Sequence, residues 1–292
     1  MAAADAGGRP LATLLVPSLL LGGGALAFAW SERPKLALYD KSAFQMLFAR
    51  DEPWGAALLV ALTIGAAVLG SALARRAERF VEGWARHPRV VALLGLLLLA
   101  AGAWTVYRAA PLSMDEYAPW FQARIFAAGH IATRLPPDLL PWLLPPRLLY
   151  PFFATDVHSG AVASAYWPGF ALLMAPFSLL RVEWLLDPVL GAACLLMIAR
   201  LAGRWTGSRA ASGWAMLLTL ASTAFTANAI SFYPLTAHLL ANLIWMDLLT
   251  EGRACDFEGV RLTGRTSRLL LAGIVGSFAL VLHNPVPHAI FA

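Results

Sequence analysis

The stretch VVALLGLLLLAAGAWTVYRAAPLSMDEYAPWFQARIFAAGH, residues 90–130, decides the fold. Its first part, 90–107, carries no charge, and a bilayer core about 30 Å thick takes roughly 20 predominantly apolar residues in helical form. Two adjacent carboxylates, Asp115 and Glu116, follow where the chain leaves that run. Working outward, comparable apolar runs lie at 11–30, 55–74, 185–203, 211–230, 234–250 and 269–287. With the first they make seven candidate spans, so the expected fold class is all-α, a polytopic transmembrane helical protein. Composition agrees: of 292 residues, 59% are hydrophobic and 13% charged, against roughly 25% charged in soluble domains.

The net charge of +5 does not point to nucleic acid, because the arginines sit in short loops between apolar runs. The loop 75–89 holds five arginines and should be cytoplasmic. Counting from it, 108–184 lies on the non-cytoplasmic side, the Arg200, Arg204 and Arg209 turn inside, 231–235 outside, and the basic segment 251–268 inside. This parity requires that 168–181, about 14 residues, does not cross; stretches of that length are more often interfacial. The long outer loop then has two surface helices joined by the proline-rich RLPPDLLPWLLPPRLLYP, 134–151. Two domains follow: a two-span extension over 1–89 and a larger module over 90–292, whose ending in HNPVPHAIFA reads as a truncation. Ala25-Leu26-Ala27 resembles a signal cleavage site, but the run around it is long for a signal core, and a retained helix is expected. Cys194 falls in an apolar run and Cys255 in a cytoplasmic loop, so neither a disulfide nor a cysteine metal site is expected.

Two readings of Asp115-Glu116 stand side by side. Ser113 and Glu116 fit a capping box, and acids are favoured in a first helical turn. Pro119 fits a first turn but would break a helix already under way. Tyr117, Phe121, Ile125 and Ala128 then form a stripe at helical spacing, and Gly129 suits a C-terminal cap. The other reading is catalysis, a carboxylate at the membrane boundary taking a proton. Further on, His283, Asn284 and His288 make a polar cluster where the last apolar run meets the outer face, a place where polar groups tend to mark sites. Asp187 beside Pro188 reads as a helix cap, and Trp104, Tyr107, Trp120, Trp142 and Tyr150 as an interfacial belt.

Taken together with SAYWPGFALLMAP (164–176), ARLAGRWTGSRAASGWAMLLTLASTAF (199–225) and SFYPLTAHLLANL (231–243), the 113–130 segment resembles the GT-C superfamily of polyprenyl-phosphate-sugar-dependent glycosyltransferases. The resemblance is to the family 39 type, which includes protein O-mannosyltransferases and lipid A aminoarabinose transferases. It covers 90–292 and leaves 1–89 outside. It implies an inverting transferase in a bacterial cytoplasmic membrane, facing the periplasm or exterior, with a polyprenyl-phosphate-linked sugar as donor and a lipid, glycan or protein as acceptor. Membrane lipids are the other expected partners, and no nucleic acid is.

By matching position the resemblance makes Asp115 the catalytic base, with Glu116 supporting it or helping to bind a divalent ion. Tyr166, Trp167, Pro168 and Gly169 match the element before the family's outer surface helix. Charge on the departing lipid phosphate needs a cation, proton donor or metal. Arg124, Tyr166, Pro168, Gly169, His238, His283, Asn284 and His288 are the substrate-binding candidates; a divalent metal is left open, with Glu116 and His238 as its side chains. Where relatives carry Arg-Pro or Lys-Gly, this chain has His283-Asn284-Pro285. A polytopic transporter and a non-catalytic scaffold or fragment are the alternative readings.

Overall fold

The computed structural model describes residues 52–144, 152–250 and 263–283, together with isolated helical positions between 16 and 31. The chain divides into two compact units, Met1–Phe80 and Val81–Ala292. A long helix, α1 (Glu52–Ala85), begins in the first and runs on into the second. The second continues with α2 (Pro88–Thr105), α3 (Met114–Ala127), β1 (Thr133–Arg134), a single turn α4 (Leu140–Leu143), β2 (Phe153–Asp156) and β3 (Ala161–Ser164). After these come α5 (Gly169–Leu179), α6 (Leu186–Thr206), α7 (Arg209–Ala221), α8 (Thr223–Ala229), α9 (Leu235–Thr250) and α10 (Thr263–Leu280).

The expected loop 75–89 is corrected: α1 stays helical to Ala85. RRAERFVEGWA is built mainly from good helix formers, and the first residue that cannot continue a helix is Pro88. That proline opens α2 instead, where its missing N–H is no loss.

Two helical segments among the described residues, 88–105 and 183–206, are long and apolar enough to cross a membrane. A third span is present if α7 and α8 count as one, although they meet at a 69° bend. Ser222 makes that bend: it closes α7 in an extended conformation and caps α8 through its hydroxyl, which accepts from Phe225 N–H. Seven spans are therefore not what the described structure contains; α5, α9 and α10 are shorter apolar helices, and the first run, 11–30, lies largely outside the described residues.

The described chain is mostly helical, as the all-α expectation has it, with one exception. The chain between α3 and α5 forms a three-stranded antiparallel sheet, ordered β1-β3-β2, with Thr133 opposite Val162 and Phe153 opposite Ser164. Strands of two to four residues are too short to show an alternating pattern. Asp156 shapes the β2–β3 turn, accepting from His158 N–H and the Ser159 hydroxyl. The Ser159 bond, followed by the His158 amide, holds its carboxyl below the ordinary carboxylate range. Gln122 on α3 clamps the sheet at both ends of its amide, donating to Ile131 C=O (2.8 Å) and accepting from Ser164 N–H (2.8 Å).

Three apolar clusters hold the second unit together. Ala123, Phe170, Met174, Leu186, Phe232, Ala279 and Leu282 join α3, α5, the start of α6 and the end of α10. Val91, Ala92, Leu195, Ala199 and Met216 join α2, α6 and α7. The third cluster, with Ala118, Phe153 and Val162, seats the sheet against α3. Helices α2 and α6 meet through small residues: a Cβ on Gly95 would lie 2.7 Å from Leu195 Cδ1, and one on Gly191 2.8 Å from Leu99 Cδ1. Close approach of this kind is how helices associate where lipid removes the hydrophobic drive between them. The opposite face of α2, with Val90, Leu93, Leu94, Leu97 and Leu98, is apolar and exposed. At the far ends of α6 and α9, Asp247 accepts from Arg200 Nε at both oxygens (3.0 and 3.1 Å) and from Arg204.

Candidate active site

Asp115 stands in the first turn of α3, a position that suits an acidic side chain. Further along the helix, Pro119 supplies no N–H for the Asp115 main-chain carbonyl. The Asp115 side chain is half-buried, and its Oδ1 accepts a short hydrogen bond from the Tyr166 hydroxyl. Burial first, and then the bond to Asp115, push the Tyr166 pKa above its usual value. Tyr166 therefore stays protonated and acts as a fixed donor. On the tyrosine ring lies the imidazole of His283, stacked with centroids 4.3 Å apart and 29° between planes. Its Nδ1 is buried with no hydrogen-bond partner among the described residues.

Glu116, next in sequence, does something different. It is 1% exposed, and its Oε2 accepts from Leu112 N–H (3.0 Å), Ser113 N–H (2.9 Å) and the Ser113 hydroxyl (3.1 Å). Its Oε1 accepts from Phe232 N–H at 3.2 Å. One carboxylate thus closes the capping box of α3 and ties that helix to the segment before α9. The Ser113 hydroxyl also meets Tyr233 Oη at 2.9 Å. Buried donors matched to a charged acceptor make strong bonds and are expensive to orphan.

His283 is set beside Tyr166 by backbone contact. Gly169 N–H donates to Val281 C=O and Phe170 N–H to Leu282 C=O, each at 2.9 Å, so the start of α5 is bonded to the chain leaving α10. A Cβ at residue 169 would lie 2.5 Å from the Val281 oxygen and 2.8 Å from its carbon. Only glycine lets the two backbones approach so closely.

Of the residues singled out from the sequence, Asp115, Tyr166 and His283 come together, with Gly169 as the hinge of their placement and Glu116 as an adjoining support. Pro168 is exposed and caps α5 at its start. His238 is buried in α9, a few residues beyond Tyr233. Arg124 belongs to a separate constellation, with its Nε 3.0 Å from Glu183 Oε1 and its guanidinium 3.9 Å over the Trp120 ring. Asn284 and His288 lie outside the described residues, as do Tyr150 and Cys255. Cys194 is a free, buried thiol. Among the described residues no three His, Cys, Asp or Glu side chains gather to hold a metal ion.

Asp187 is corrected from its reading as a helix cap. Leu185 holds the N-cap position of α6, without a side-chain cap bond. Asp187 instead is the second residue of the helix, in its first turn and buried, with Oδ1 lacking a hydrogen-bond partner among the described residues. The sequence reading missed Gln122, Glu183 and Tyr233. Gln122 and Glu183 gave no local signal, because the groups they bond are far along the chain; Tyr233 stood inside SFYPLTAH, but nothing there marked its hydroxyl. Compared with known proteins, the chain matches no family model, no curated protein and no solved structure.

Proposed function

We propose that this is a polytopic membrane glycosyltransferase that moves a sugar from a polyprenyl-phosphate donor to an acceptor on the non-cytoplasmic face. One observation carries the reading: Asp115, Tyr166 and His283, from three distant parts of the chain, form one connected cluster. The apolar helices α2 and α6 and their close packing through glycine support the membrane setting.

In this reading Asp115 is the general base. Tyr166 occupies Oδ1 and fixes the rotamer, which leaves Oδ2 to receive the proton of an acceptor hydroxyl. The acceptor oxygen attacks the anomeric carbon, the bond to the lipid phosphate oxygen breaks, and the phosphate leaves with that electron pair. In the same reading His283, stacked on the tyrosine, bonds the departing phosphate. Glu116 holds the first turn of α3, and so Asp115, in position.

The test is transfer from a polyprenyl-phosphate sugar in proteoliposomes. Asp115→Asn should lower the rate by about 10²- to 10⁴-fold, the usual worth of a general base. A well-inserted variant with full activity removes Asp115 from the mechanism.

A second reading, a transporter, is favoured by the 69° break between α7 and α8, since broken helices line many transport sites. Substrate flux into vesicles lacking any lipid-linked sugar would decide for it.

A further inference from the structure

We infer that the groove beside α3 binds the headgroup of an anionic membrane phospholipid. The groove is open, about 430 Å³, and is lined by Trp104, Trp120, Trp184, Arg124, Arg181 and Glu183. It lies where two membrane-length segments come together, the end of α2 at Thr105 and the start of the 183–206 segment. Trp104 and Trp184 meet edge to face with centroids 5.5 Å apart. Trp104 also lines a neighbouring cleft with Arg108.

Charge gives the ligand its sign. Arg124 is matched by Glu183 at 3.0 Å, while Arg181 is exposed and has no carboxylate within ion-pair distance among the described residues. The groove therefore keeps one unbalanced guanidinium, with Arg108 in the next cleft. Planar guanidinium groups bond phosphate oxygens in pairs.

Of the groove's two arginines, Arg124 is helical, whereas Arg181 has a left-handed backbone, as Arg108 in the next cleft does. Helix α5 ends in a Schellman motif: Val182 N–H donates to Phe177 C=O and Arg181 N–H to Ser178 C=O. Arg181 holds its left-handed position at φ 57°. Glycine is the residue of least cost there, and α3 and α6 do end in left-handed glycines, Gly129 and Gly207. An arginine kept in that conformation at the lip of a groove is what a recognition site would retain.

The tail has a place as well. Leu93, Leu94, Leu97 and Leu98 form an exposed apolar strip along α2 that runs toward Trp104 at the groove. An acyl chain on that strip puts its phosphate among the arginines, and aromatic rings suit the same depth. None of Asp115, Tyr166 or His283 lines the groove, which favours a lipid of the surrounding bilayer over the sugar donor.

The inference rests only on the membrane part of the function proposed above. The full chain in detergent micelles would be offered dioleoyl phosphatidylglycerol and dioleoyl phosphatidylcholine, and retained lipid counted by native mass spectrometry. The expected preference for phosphatidylglycerol is about tenfold, the worth of one charge-assisted contact. Arg181→Gly, which relieves the backbone, should bring the ratio to near parity with thermal stability unchanged or raised, while Arg134→Gln on β1 leaves the preference intact. Equal retention of the two lipids by the parent chain, or an undiminished preference in Arg181→Gly, overturns the inference. So does displacement of phosphatidylglycerol by an equal amount of undecaprenyl phosphate, or by millimolar inorganic phosphate. A chain that fails to enter bilayers at all would instead sink the membrane reading itself.

Discussion

The imidazole of His283 lies flat against the ring of Tyr166, 4.3 Å between centroids, and the hydroxyl of that same ring donates to Asp115. A base, the donor that orients it and a histidine are thus coupled through one aromatic side chain. Changes at any of the three should be readable at the tyrosine.

Ionisation of Tyr166 is the first such readout. Its folded pKa is raised, by burial and then by Asp115, so the folded chain holds the proton more tightly than the unfolded one. The resulting stability is whole below about pH 10, the ordinary tyrosine value, and is lost as pH climbs beyond that toward the folded pKa. In an ultraviolet titration, the difference between the parent and Tyr166→Phe should show one late tyrosinate, and Asp115→Asn should make it ionise earlier. No change on removing the Asp115 charge would contradict the pairing.

Gly169→Ala is expected to destabilise by about 2 kcal/mol, because the new methyl meets backbone that cannot step aside. Thermal unfolding measures the loss. The same variant should change the Tyr166 titration, since the shift of α5 moves the tyrosine relative to His283. An alanine variant with the parent's stability would mean that the two backbones do not approach this closely.

For Glu116, replacement by Ala should cost about 3 kcal/mol, since the Phe232 N–H is left buried without an acceptor and the α3 cap is lost. Glu116→Gln keeps an acceptor oxygen and should lose clearly less. If both variants abolish transfer while denaturant unfolding stays at the parent's value, Glu116 acts in the chemistry and not as a support.

Gln122→Ala removes both ends of the clamp between α3 and the sheet. A loss of about 1–2 kcal/mol is expected, with faster hydrogen exchange at the Ser164 amide. Unchanged protection there would show that β3 is held by its neighbouring strands alone.

Much of this architecture was written in local pattern. The apolar run ending at Tyr107 and the S-x-x-E pattern at Ser113 gave α2 and the cap of α3, because run length and capping depend on neighbours in sequence. The three-stranded sheet was hidden because its strands are shorter than any period that could reveal them. Among the site residues, Asp115 was visible from its place after a span, but Tyr166 and His283 were candidates only by resemblance and polarity. What joins them is a backbone contact between residues 169 and 281, and such contacts leave no trace in either segment alone. The loop expected at 75–89 failed for the opposite reason: its arginines carried a charge signal while its helix formers carried a structural one.

The junction of α5 with the chain beyond α10 also orders events during synthesis. Segments containing Asp115 and Tyr166 leave the ribosome early, whereas Val281, Leu282 and His283 arrive much later, and folding proceeds from the N-terminal side as the chain emerges. Until they arrive, the start of α5 lacks the two carbonyls that its amides bond. The cluster is therefore assembled late, and a nascent chain halted before α10 would display Asp115 and Tyr166 without the histidine.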